Sequence, residues 1–149
     1  MNPARRSIRW IASVSVGAVV AGLCVTHAQT PSPGRLLVLL RDASALAIVD
    51  PDSGTVLGRV PTGRDPHEVT ASADGRFAFV ASMVDGISVI DLAAQEEVRR
   101  IDTGAGSSTH DVLFADGKVY FTIEGYKSIG RYDPSADTID WTLGTGQEG

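Results

Sequence analysis

HEVTASADGRFAFVASMVDGISVIDLAAQEEVRRIDTG, residues 67–104, holds four short apolar runs: HEVTAS, RFAFVAS, ISVIDL and EEVRRID. Asp-Gly pairs at 74–75 and 85–86 fill two of the three gaps between them. Asp-Gly suits tight reversals, because glycine reaches positive φ without a Cβ clash and aspartate tolerates it. Runs of this length and spacing predict four antiparallel strands in one meander sheet. Side chains alternate across a strand, so Phe77 and Phe79 lie on one face and Ala78 and Val80 on the other. Both faces are apolar. Such a sheet needs a cover on each side, and the chain supplies one by repeating.

Asp50, Asp91 and Asp133 close the patterns AIVD, SVID and GRYD at spacings of 41 and 42 residues. Thr62-Gly63, Thr103-Gly104 and Thr145-Gly146 keep the same two spacings. Asp74-Gly75 returns as Asp116-Gly117, and Phe79 is matched by Phe121, each 42 residues on. A period near 40 with four strands per unit predicts an all-β β-propeller built of four-stranded antiparallel blades. A helical repeat is excluded, because the runs are too short, too β-branched and too often broken by glycine. The predicted units are a partial blade at 35–63 lacking its innermost strand, a blade at 67–104 and a blade at 110–146. Closed propellers carry about four to eight blades. Three therefore predict the N-terminal part of a larger propeller or a truncated product, with closure by association of copies as the alternative.

FAFVASMVDGISVIDLAAQEEVRRIDTG, with VPTGRDPHEVTASADGR at 60–76, resembles the YVTN-type β-propeller repeat. KVYFTIEGYKSIGRYDP, residues 118–134, is also similar to repeats of streptogramin B lyase propellers. The resemblance covers residues 35–149 and implies a propeller; its motifs lie on framework positions and carry no activity.

Eighteen acidic residues against thirteen basic ones disfavour a nucleic-acid partner. Residues 1–9 hold Arg5, Arg6 and Arg9 and no acid, and residues 10–25 form a 16-residue run without charge. Thr26-His27-Ala28 then offers small residues for cleavage after Ala28. This layout predicts a bacterial secretory signal peptide at 1–28, a proline-bearing leader at 29–34 and a periplasmic or secreted chain with no membrane span after cleavage. An uncleaved anchor is the alternative, although a span needs about 20 apolar residues. Cleavage removes Cys24, the single cysteine, leaving no disulfide, thiolate ligand or cysteine nucleophile.

His67-Glu68 and His110-Asp111 occupy equivalent places, just before the predicted innermost strands of two successive blades. Imidazoles and carboxylates brought to one channel mouth suit an anionic ligand or a divalent metal ion, so His67 and His110 are the candidate ligand-binding residues. The same placement also serves a turn cap bonded to the neighbouring blade. Strand alternation turns Glu68 and Asp111 away from their histidines. Asp50, Asp91 and Asp133 are expected to accept backbone N–H bonds in the following turn. Arg64, Asp65 and Glu124 are expected as solvated loop charges, and Phe77, Phe79, Tyr120 and Phe121 as core between blades. Ser107–Asp111 contains hydrolase-like residue types, but adjacency is not triad geometry. The glycines at 104–106 precede a strand, which does not make a phosphate loop. No haem or quinone motif is readable. The expected function is a scaffold binding a small molecule or a protein, with no catalytic centre; a metal-dependent lyase or lactonase-type enzyme with a channel-mouth site is the alternative.

Overall fold

The computed structural model describes residues 34–146. The predicted signal peptide and most of the leader lie outside them. Eleven strands and one turn of 3₁₀ helix, Glu124–Tyr126, make up the described chain. β1 (Leu36–Leu40), β2 (Ala45–Val49) and β3 (Val56–Pro61) form a three-stranded sheet. β4 (Pro66–Ala71), β5 (Phe77–Ser82), β6 (Gly86–Asp91) and β7 (Glu96–Ile101) form the second sheet in chain order. β8 (Thr109–Ala115), β9 (Lys118–Ile123), β10 (Ser128–Asp133) and β11 (Thr138–Gly144) repeat that order in the third. Every pairing is antiparallel. The fold is all-β, of propeller type. Among the described residues no helix is long and apolar enough to cross a membrane.

Two apolar layers hold the sheets together. Leu46, Ile48 and Val60 of the first sheet pack on Ala78, Val80 and Ile90 of the second. Phe79, Ala81, Ile87, Val89 and Ile101 on the opposite face of the second sheet pack on Val112, Val119, Phe121, Ile123 and Tyr132 of the third. The middle sheet is thus covered on both sides, and β5 and β6 are almost wholly buried. Each large side chain so covered contributes roughly 1.5–3 kcal/mol.

The register corrects one expected equivalence. Val80 lies opposite Ser88, whereas Phe121 lies opposite Gly130. Phe121 therefore takes the place of Val80, and Tyr120, opposite Arg131, takes that of Phe79, opposite Val89. The reversal after Asp116-Gly117 is one residue shorter than that after Asp74-Gly75, and the Glu124–Lys127 connection is one residue longer than its counterpart. The two changes cancel, so the overall period conceals a local slip. A one-residue slip sends side chains to the other face. Tyr120 accordingly leaves the layer between the sheets, while Phe77, Phe79 and Phe121 belong to it.

Candidate functional site

β4 and β8, the first strands of the two complete sheets, run beside one another. Each starts irregularly. The β4–β5 register shifts between Pro66 and Glu68, and the β8–β9 register between Thr109 and Val112. His67 and His110 sit on these shifts. A bulge bends its strand and re-aims side chains, and here both imidazoles turn to the same place. Their ring centroids are 3.8 Å apart and their planes 40° apart. The bulges also interrupt the regular alternation expected at Glu68 and Asp111; both residues are exposed.

The pair is not satisfied by its surroundings. His67 Nδ1 is buried and has no hydrogen-bond partner. Ser82, which pairs across the sheet with Pro66, is fully buried, and its Oγ is also without a partner. His110 is more open, its Nε2 lying 3.9 Å from Glu124 Oε1. Beside it lies an open depression of about 530 Å³ lined by His110, Asp111, Thr122, Glu124, Lys127 and Thr145. Volumes of about 300–1,000 Å³ are usual for small-molecule sites. The bulge backbone is tied down on this side, as Asp111 N–H donates to Thr122 Oγ1 at 2.9 Å.

Thr103 Oγ1 lies 2.7 Å from Ser107 Oγ and 2.8 Å from Thr109 Oγ1, all three residues buried. These hydroxyls satisfy one another. That accounts for Ser107 and Thr109 as structure and leaves them no basic partner for nucleophilic work.

The loop charges differ from expectation. Arg64 and Asp65 are paired rather than free. Arg64 donates to Asp85 through its backbone N–H at 2.8 Å, Nε at 3.0 Å and Nη2 at 2.8 Å. Asp65 accepts from Arg41. The Arg64 hydrogen bonds, with Arg100 nearby, hold the Asp85 carboxyl down at about 2. Glu124 faces His110. These partners come from neighbouring loops at sequence separations of 21 and 24, so only the folded connections bring them together.

The three recurrent aspartates act in turns. Asp50 Oδ1 accepts from the N–H of Asp52 at 2.9 Å, Asp91 Oδ1 from Ala93 at 2.9 Å and Asp133 Oδ1 from Ser135 at 2.9 Å. Backbone donors hold the Asp50 and Asp91 carboxyls below their ordinary range, and Lys118 leads the same effect at Asp133.

The two imidazoles meet as a tilted pair, 3.8 Å between centroids and 40° between planes. Among the described residues no three His, Cys, Asp or Glu side chains gather as a metal-holding group. The pair can instead offer a single nitrogen donor, a flat apolar face or a hydrogen bond. Ser82, Thr122 and Lys127 were not foreseen as members of this site. Pro66 was the available signal for the first bulge, because proline removes a ladder donor at a strand start.

Residues 34–136 match the family described as Cytochrome D1 heme domain. Among solved structures, hydrazine synthase of Kuenenia stuttgartiensis superposes with a TM-score of 0.71 at 20% identity, over 86% of this chain and 40% of that one. AztD of Citrobacter koseri gives a TM-score of 0.65 at 13% identity, over 76% of this chain and 33% of its own. Dihydro-heme d1 dehydrogenase NirN, in complex with DHE, gives 0.64 at 20% identity, over 74% and 24%. At these identities the likeness is one of fold. A 72-residue stretch is 33% identical to membrane protein insertase YidC of Paracoccus denitrificans, covering 48% of this chain and 11% of that protein. The chain spans 11% of that curated relative and 40% of the hydrazine synthase chain.

Proposed function

Because the chain belongs to the Cytochrome D1 heme domain family, we propose that it is a ligand-binding β-propeller of an exported protein, with its ligand site where His67 and His110 meet. The YVTN-type pattern is then the framework of this family's blades, and the ligand class is a haem-type macrocycle.

The observation that carries this reading is the imidazole pair itself, 3.8 Å apart on two bulges with His67 Nδ1 buried and unpartnered. Leaving a buried polar atom unmade costs about 1–3 kcal/mol. A ligand that uses the site offsets that cost. The donor set would suit a metal that arrives already chelated, since a macrocycle leaves little for the protein to supply and histidine is a common donor. A bare cation needing a fuller protein ligand set is a poorer fit.

His67 and His110 are the residues that would hold the group. Lys127 supplies a cation beside His110 for a ligand carboxylate, and Thr122 lines the same depression. When bound, a haem supplies an iron centre for electron transfer or small-molecule chemistry. The chain's own contribution is to bind, orient and partly enclose it.

The test is titration of the exported protein with haemin, followed by the Soret band. His67→Ala with His110→Ala is expected to abolish the spectral shift while leaving the melting temperature nearly unchanged. An unaltered Soret band with the wild-type protein, or a double variant that unfolds with no ligand detected, would assign the histidines to structure alone.

A further inference from the structure

We infer that Tyr126 is a positioning residue of the ligand site: through Lys127 it fixes the acidic edge of the ligand over the third sheet. This rests on the ligand site proposed above and adds which way round its ligand lies. The two complete sheets differ at one connection. Met83–Asp85 joins β5 to β6, whereas Glu124–Lys127 joins β9 to β10. The two connections begin alike. Met83 N–H donates to Asp65 O at 3.0 Å, and Glu124 N–H donates to Ser108 O at 3.2 Å. Asp65 and Ser108 share the left-handed backbone, at φ 56° and 47°. Counting on, Val84 corresponds to Gly125 and Asp85 to Tyr126, which makes Lys127 the inserted residue.

The second unit closes its connection with charge. Asp85 accepts from Arg64 and lies against Gly63, where an added Cβ would come 3.1 Å from the Asp85 Cβ. The third unit uses a hydroxyl instead. Tyr126 Oη donates to Ala105 O at 2.5 Å. It also lies against Gly104, the repeat partner of Gly63, whose added Cβ would come 2.9 Å from that oxygen. Gly125 N–H donates to Ser107 O at 2.9 Å, and a side chain at 125 would run into Gly106 O. Tyr126 is 51% exposed, so burial does not account for the ring. Its hydroxyl latches the turn.

The latched turn delivers Lys127. This residue is left-handed at φ 48°, a region that lysine seldom adopts and that its surroundings must enforce. Beyond it, the Lys127 carbonyl accepts from Thr145 N–H and Thr145 Oγ1, both at 2.8 Å. Held from both sides, Lys127 is exposed at the rim of the His110 depression. Among the described residues no carboxylate stands within ion-pair distance of it. Arg64 and Arg100 of the second unit are by contrast already paired. Asp111 and Glu124 line the same depression, and like charge disfavours a ligand carboxylate beside them. Lys127 is the one lysine or arginine in that lining, so its place decides where an acidic edge lies.

Soret titration of the full chain with haemin and with haemin dimethyl ester, whose carboxylates are masked, tests this. The wild type is expected to bind haemin about tenfold more tightly than the ester, the scale of one hydrogen bond to a charged group. Lys127→Met should remove that preference and leave ester binding unchanged. Tyr126→Phe, which deletes only the latching hydroxyl, should do the same and speed hydrogen exchange at the Glu124 and Gly125 amides. The double variant should bind haemin no more weakly than Lys127→Met alone, because Tyr126 acts through Lys127. Equal binding of both compounds by the wild type overturns the inference and leaves the ligand site standing. So does a Tyr126→Phe variant that keeps the preference or loses both compounds alike, and so do additive losses in the double variant. A wild type that binds neither compound overturns the ligand site and this inference together.

Discussion

Phe121 and Gly130 face one another where the second sheet has Val80 and Ser88. A Cβ on Gly130 would lie 2.6 Å from Phe121 Cε2, so the glycine is required by the ring and not by a turn. Gly130→Ser is expected to destabilise by about 1–3 kcal/mol, the usual cost of overpacking. Adding Phe121→Val recreates the neighbouring pair and should recover part of that loss, read as a favourable coupling in denaturant midpoints. Asp85 is one of the carboxylates that contribute to acid behaviour. Its carboxyl is held at about 2 against an ordinary 3.8, with Arg64 hydrogen bonding the leading cause and Arg100 a lesser one. A depressed carboxyl contributes stability above its unfolded value and loses it as pH falls through the folded one. Asp85→Asn should therefore flatten the fall in stability between about pH 4 and pH 2. An acid limb as steep as that of the wild type would remove Asp85 from this role.

The strands were legible because short alternating runs between glycine and aspartate turns leave little choice of structure. AIVD, SVID and GRYD marked the strand ends correctly because an aspartate there accepts turn N–H groups whatever the sheet does next. The slip at Phe121 was hidden, since a shorter reversal before it and a longer connection after it leave the period intact. The bulges under His67 and His110 were hidden too, because a bulge is set by pairing with another strand. Their equivalence along the chain was readable; that their rings meet was not. Burial orders the elements by stability. β5 and β6 are covered on both faces, while β11 has no buried residue and β1 has none either. Hydrogen exchange is expected to be slowest in β5 and β6 and fastest in β1 and β11. Uniform protection across all four would show that burial does not set local opening here.

For the molecule as a whole, we propose that residues 1–28 direct export and so set the compartment the site meets. Their order of basic, uncharged apolar and small residues supports cleavage after Ala28. Cleavage would remove three arginines, leaving ten basic residues against eighteen acidic ones. The net charge would then move from −5 to −8, and the single thiol, Cys24, would go with the signal peptide. The cohesion of the packed sheets rests on the two apolar layers. The prediction can therefore be read without regard to folding. Protein recovered from the periplasm or medium should have an intact mass beginning at Gln29 and no reactive thiol under denaturing conditions. Precursor retained inside the cell should show one. A recovered chain that keeps Trp10 and titrates one thiol would mean an uncleaved anchor, and the haemin titration would then belong on membranes carrying the protein.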